Sequence, residues 1–248
     1  MLGDITVLEP MTAVTDFIVT AVCLLAFVRL RRLSKANGGY MSYYPYFFLT
    51  MGLGCFFAAL MTHAFAYTMV DILPKDHIRQ LDWAGQLAYH LHDLPNWIFN
   101  IVSVTLFEFA MLERISQLKP NYNRNLYTGI VIAESAVVLM LLLWKLNYAF
   151  AAMHIGFALY IIELPHIWPL YRSTGNPEAR YLVIASLVML PSGVAMAMQQ
   201  WLVENSPWFN HNDISHCLIA ITMYLCYKSA EIGIRNGIHT IETPSGCR

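Results

Sequence analysis

Three separated stretches of the chain carry the residue types that bind metals and move protons. The first holds His63 alone. The second holds His90, His92 and Asp93. The third, FNHNDISH, holds His211, Asp213 and His216. Neutral imidazoles and a carboxylate in a low-dielectric pocket suit a divalent metal, zinc first. Three protein ligands and a water make a catalytic zinc site. There the ion brings the pKa of the water to about 7 and polarises a carbonyl. A nearby aspartate can orient a ligand or take the water's proton.

The elements that must position these residues are membrane helices. The 248 residues are 57% hydrophobic and only 12% charged, with mean hydropathy +0.48. A soluble domain carries about twice that share of charge. The net charge of −1 gives no reason to expect a nucleic-acid partner. The cysteines form no C-x-x-C pair, and most sit in apolar runs as small buried hydrophobes. The first residues include Asp4, Glu9 and Pro10, without the basic stretch of a cleaved signal peptide.

About 20 mainly apolar residues span a bilayer. Seven segments meet that length: Met11 to Leu30, Tyr44 to Met69, Tyr89 to Leu112, Tyr127 to Trp144, Tyr148 to Trp168, Ala179 to Val203, and Asn212 to Ile234. The expected fold is therefore all-α: one multi-pass integral membrane domain over residues 1–248, with seven transmembrane helices. A short interfacial helix over Asp76 to Leu87 would set Trp83 at headgroup level. Of the fifteen Lys and Arg residues, only Lys75, Arg79 and Lys145 fall on one side, leaving twelve on the other. That bias predicts an outside N-terminus and a cytoplasmic C-terminus.

With this orientation the polar stretches meet at one level. At a rise of about 1.5 Å per residue, His63 and His216 each lie roughly 8–10 Å below the outer boundary. His90, His92 and Asp93 open helix three on the same side. His154, Gln199, Gln200 and Glu204 are expected at a similar level. Asp93, Asn96, Asn100 and Ser103 recur every three or four residues and share a helix face. On a regular helix His90 and His92 point different ways, so one should face the headgroups. Asp213 and His216 share a face. His211, five residues before His216, converges only through a cap or local unwinding, and Asn210, Asn212 or Asp213 offers such a cap. A second set of charges, Asp16, Glu108, Glu134, Glu163, Lys228 and Glu231, lies deeper. Within it the expected structural pair is Glu108 with Lys228, unless Lys228 snorkels to the interface.

In these features the chain resembles the CREST superfamily of seven-helix membrane hydrolases, which includes alkaline ceramidases and the progestin and adiponectin receptor group. The resemblance implies a zinc held by one histidine of helix two and two of helix seven, with an aspartate from the helix-three region. Here those positions are His63, His216, His211 and Asp93. Two departures stand out. The family's H-x-x-x-H becomes Asn212 and His216, with His211 five residues before. The serine expected four residues before the helix-two histidine is Ala59, and Thr62 is the nearest hydroxyl.

Two functions follow as expectations. One is a zinc-dependent hydrolase of a ceramide-like or N-acyl lipid amide, its substrate arriving from the bilayer. His63, His211 and His216 would hold the metal, with Asp93 or Asp213 as base or orienting group. The other is a non-enzymatic sensor or transporter, in which the same cluster binds a ligand, an ion, a proton or a haem.

Overall fold

The computed structural model describes residues 7–37, 41–66, 75–118, 121–197 and 210–236. Among them every regular element is helical. Helix α1 (Pro10–Ala36) starts with proline at its first position, where no N–H is needed. Helix α2 (Tyr43–Phe57) widens into a π-helical segment (Ala58–Ala64) that contains Thr62 and His63. Two short helices, α3 (Lys75–Gln80) and α4 (Trp83–Tyr89), lead into a 3-10 turn (His90–His92). Then come α5 (Leu94–Leu118), α6 (Arg124–Lys145) and α7 (Ala149–Phe157). A second π-helical segment (Ala158–Glu163) joins α7 to α8 (Leu164–Thr174). Helices α9 (Pro177–Ala197) and α10 (His211–Asn236) complete the described chain.

Five of these helices are long and apolar enough to cross a membrane: α1, α2 with its π segment, α6, the α7–α8 unit, and α10. The described residues thus form an all-helical structure with the character of a membrane protein. Asp82 caps α4, its carboxylate accepting from the Gly85 N–H at 2.8 Å, and Trp83 is exposed at its start. The expected interfacial segment is therefore two short helices. The end of the sixth expected span, with Gln199, Gln200 and Glu204, lies outside the described residues.

Helix α2 lies between α1 and α5, and two glycines permit both approaches. A Cβ on Gly52 would stand 3.1 Å from Cys23 Cβ of α1. A Cβ on Gly54 would stand 3.3 Å from Phe99 Cβ of α5. Small residues let helix backbones close in where lipid supplies no hydrophobic drive between helices. Backbone carbonyls exposed by these approaches are used: Thr20 Oγ1 donates to Gly52 O, and Ser103 Oγ to Phe47 O. Helix α10 packs against α9 and α1. A buried ion pair ties α5 to α9, with Arg114 Nε and Nη2 donating to the two oxygens of Glu178.

Candidate functional site

The π segment of α2 changes which way its last residues face. Its wide turn closes with Phe65 N–H donating to Leu60 O at 2.9 Å, five residues back. Single π turns are frequent at functional sites because they re-aim side chains. The carbonyls this end leaves open are taken by the chain before α1: Glu9 N–H donates to His63 O at 2.9 Å, and Leu8 N–H to Ala64 O at 3.4 Å. The strap brings the Glu9 carboxylate to His63 Nδ1, with Glu9 Oε2 2.7 Å away. That hydrogen bond holds the Glu9 carboxyl below its usual range.

The other edge of the His63 ring faces α1 and α10. His63 Nε2 is 3.7 Å from Asp16 Oδ2, and His216 Nδ1 is 3.3 Å from Asp16 Oδ1. The two imidazole rings are 5.9 Å apart, centre to centre. Asp16, His63 and His216 each bring one ligand atom within 4.8 Å of the other two. Asp16 is buried, and its Oδ2 has no hydrogen-bond partner among the described residues. A buried carboxylate oxygen left open beside two imidazoles fits a divalent cation: nitrogen and oxygen donors, and an anionic charge to offset. Glu9 behind His63 is the carboxylate–histidine arrangement that fixes a ligand's tautomer and orientation.

The expected residues divide around this centre. His63 and His216 belong to it. Asp16 was expected in a deeper, separate set of charges, and it is the third member. His211 begins α10 and is not one of the three. Asp93 lies across the same cavity. Its Oδ1 accepts from Thr62 Oγ1 at 2.8 Å, and its Oδ2 lies 3.0 Å from His90 Nδ1. His92 Nε2 is 3.3 Å from Asp93 Oδ1. Both histidines therefore gather at Asp93, against the expectation that one would face the headgroups. The reason is the 3-10 turn at His90–His92, which replaces the regular helix assumed there.

Asp213 is a capping residue. Asn210 N–H donates to Asp213 Oδ2 at 2.7 Å, and Asn210 Oδ1 accepts from Asn212 N–H at 2.7 Å. Thr12 Oγ1 donates to Asp213 Oδ1 at 2.8 Å. Both carboxylate oxygens are thus hydrogen-bonded at the start of α10 and its seam with α1. The Glu108–Lys228 pair also gives way to other partners. Lys228 Nζ bonds Glu231 Oε2 three residues on, and its side chain is 30% exposed. Glu108 turns instead toward Glu134 and His154. His154, expected at the level of the outer cluster, joins that second group.

A cavity of about 270 Å³ runs from the Asp16–His63–His216 centre into the bundle. Its wall includes the polar residues Asp93, Asn96, Asn100 and Tyr148. Asn100 Nδ2 donates to Asn96 Oδ1 at 2.7 Å and to Tyr148 Oη at 3.4 Å. Much of the remaining lining is apolar, with Phe47, Met51, Val104, Phe107 and Met223 among it. The arrangement is a polar centre at one end of an apolar pocket, the layout of a site for an amphipathic molecule.

Asp16 was within reach of the sequence. It stands six residues into α1, about 9 Å below the start of that helix, the depth assigned to His63 and His216. Glu9 carried no such signal, because nothing in its local sequence marks the strap over α2.

Residues 11–234 match the model of a family of unknown function (DUF6962). No curated protein and no solved structure matches the chain.

Proposed function

We propose that this chain, which belongs to that family of unknown function, is a seven-span membrane hydrolase that uses a divalent metal, zinc first, to cleave a lipid amide of the ceramide or N-acyl class. The observation that carries the reading is the Asp16–His63–His216 centre at the polar end of an apolar cavity. Helices α5 and α9 supply the two further spans beyond the five helices that are long and apolar enough to cross a membrane. The twelve-to-three division of basic residues supports an outside N-terminus and, with it, a centre near the outer headgroup level. A resemblance to the CREST hydrolases is part of the same proposal, carried by His63, His216, His211 and Asp93; Asp16 and Glu9 are no part of it.

In this reading Asp16, His63 and His216 hold the ion, and Glu9 keeps His63 Nε2 turned toward it. When bound, the ion supplies Lewis acidity toward a carbonyl and toward water. The chain's own residues do the rest. The apolar wall between Phe47 and Met223 takes the acyl chain and excludes bulk water. Asn96, Asn100 and Tyr148 meet the polar part of the lipid. Asp93, held by Thr62, His90 and His92, would take a proton from the attacking water and return it to the amine nitrogen as the C–N bond breaks. The products are a fatty acid and a free amine, with one water consumed.

Elemental analysis and lipid hydrolysis on detergent-purified protein test the proposal. About one zinc per chain at this centre is expected, together with fatty-acid release from an N-acyl sphingoid or N-acyl amine lipid. His63→Ala and His216→Ala should each lose the ion and the activity while staying monodisperse. Full zinc occupancy in both variants would move the centre elsewhere. A zinc-loaded protein that releases no fatty acid from any amide lipid would end the hydrolase reading and leave a metal-binding membrane protein.

A further inference from the structure

The second polar cluster lies between α5, α6 and α7, and repeats the pattern of the first. In the outer centre, Glu9 holds one nitrogen of His63 at 2.7 Å, and the other nitrogen faces Asp16 at 3.7 Å. In the inner cluster, Glu134 holds His154 Nδ1 at 2.8 Å, and His154 Nε2 faces Glu108 Oε2 at 3.8 Å. In both, a carboxylate fixes an imidazole, and the other ring nitrogen faces a second, buried carboxylate just beyond hydrogen-bond reach.

Glu108 is the most demanding group among the described residues. Its side chain and that of His154 are 0% exposed, and neither Glu108 oxygen has a hydrogen-bond partner among the described residues. A buried polar group in hydrocarbon without a partner is costly and marks a function. Two donors on one small divalent ion, each at about 2.0–2.2 Å, stand roughly 3–4 Å apart. The Glu108–His154 separation falls in that range, whereas a direct hydrogen bond does not reach it. Thr105 Oγ1, 3.4 Å from the same nitrogen and 2.8 Å from Ser135 Oγ, brings a third oxygen to the place. Two carboxylates, a neutral imidazole and a divalent ion sum to zero charge, the arrangement a membrane interior tolerates.

We propose that Glu108, His154 and Thr105 form a second divalent-cation site, oriented by Glu134 and separate from the outer centre. Neither Glu108 nor His154 lines the cavity, although their neighbours Phe107 and Ile155 do. The site therefore stands behind the cavity wall, where its part is to clamp helices together. Helix α6 has the greatest need of a clamp. Only 17% of its most apolar stretch is buried, against 44% for α1, α2 and α10. Its buried residues are Val131, Val138 and Leu142. Glu134 reaches in between them and, through His154 and the ion, ties this lightly packed helix to α5 and α7.

Cobalt(II) serves as the probe, added to chelator-treated full-length protein in detergent and counted by equilibrium dialysis and visible absorption. Two Co²⁺ per chain are expected for the wild type. One should remain in His63→Ala, one in Glu108→Gln, and none in the double variant. Co²⁺ should also raise the melting temperature of His63→Ala but not of the double variant. The proposal is overturned if His63→Ala binds no Co²⁺, since Glu108 then carries a proton instead, or if Glu108→Gln leaves the count unchanged. A wild type that binds one ion, kept by His63→Ala and lost in Glu108→Gln, would support this site while removing the outer one. Should Glu108→Gln fail to fold, the count in His63→Ala alone decides.

Discussion

Replacing Gly233 by alanine should destabilise the bundle through a charge pair that alanine itself never joins. A Cβ at position 233 would stand 2.8 Å from Glu178 Oε1, 3.0 Å from Glu178 Cδ and 3.3 Å from Met41 Sδ. The Glu178 carboxylate cannot swing freely, because Arg114 Nε holds Oε1 at 2.8 Å and Nη2 holds Oε2. Both side chains are 5% exposed. Helix α10 must therefore move off α9, or the two-pronged ion pair must open. Opening a buried pair costs about 3–5 kcal/mol, because each charge is then left uncompensated. Alanine returns about 0.8–1.0 kcal/mol of helix propensity, so the net loss is about 2–4 kcal/mol. At about 2–4 °C per kcal/mol for a chain of this size, the melting temperature should fall by roughly 4–16 °C. Thermal unfolding in detergent reads this directly. Gly129→Ala is the control, since nothing lies within 4 Å of a Cβ there. Removing both charges first, with Arg114→Leu and Glu178→Ala, should make Gly233→Ala as harmless as the control. A Gly233→Ala protein that melts with the control, or that loses as much in the uncharged background, would refute the coupling.

Three further outcomes are expected. Glu9→Gln should weaken metal binding at the outer centre by about 10–100-fold without abolishing it, as loss of a carboxylate behind a histidine ligand does; competition with a chromophoric chelator measures the change. Asp213→Ala should cost about 0.5–2 kcal/mol through the lost cap of α10, seen as an earlier melt, with metal content unchanged; loss of the ion instead would return Asp213 to the site. A reporter fused after Arg235 should behave as cytoplasmic, and activity restricted to an oxidising exterior compartment would reverse the orientation.

Depth was legible in the sequence, whereas facing often was not. Depth needs only a residue count and a rise per residue, and both survive local irregularity. Counting brought His63 and His216 to one level, and in the structure their rings are 5.9 Å apart. The same count applied to α1 would have added Asp16. Facing depends on the number of residues per turn, and the chain leaves the α-helical value at several points that matter. The π segment over Ala58–Ala64 turns Thr62 onto Asp93, so the hydroxyl that a regular helix would point elsewhere joins the cavity wall. The 3-10 turn over His90–His92 does the same for two histidines at once. A second π segment follows His154 along α7. Nothing in AALMTHA or HLH signals these departures, because they depend on what packs around them.

Charge pairing failed for a related reason. Matching Glu108 to Lys228 by level ignored how far α10 stands from the α5 face that Glu108 occupies. Lys228 had a closer solution within its own helix, one turn on at Glu231, where its end also reaches the interface. Once Lys228 is accounted for locally, Glu108 has no Lys or Arg partner among the described residues. The carboxylate then needs a proton or an ion. Asp16 meets the same problem at the outer centre, with its Oδ2 left open beside two imidazoles. Two orphaned carboxylates, each facing a histidine that another carboxylate already holds, are hard to explain as a packing accident repeated on different helices. Glu178 has Arg114 buried beside it, whereas Asp16 and Glu108 have no Lys or Arg partner among the described residues, and small cations meet that need without adding a side chain to the membrane interior.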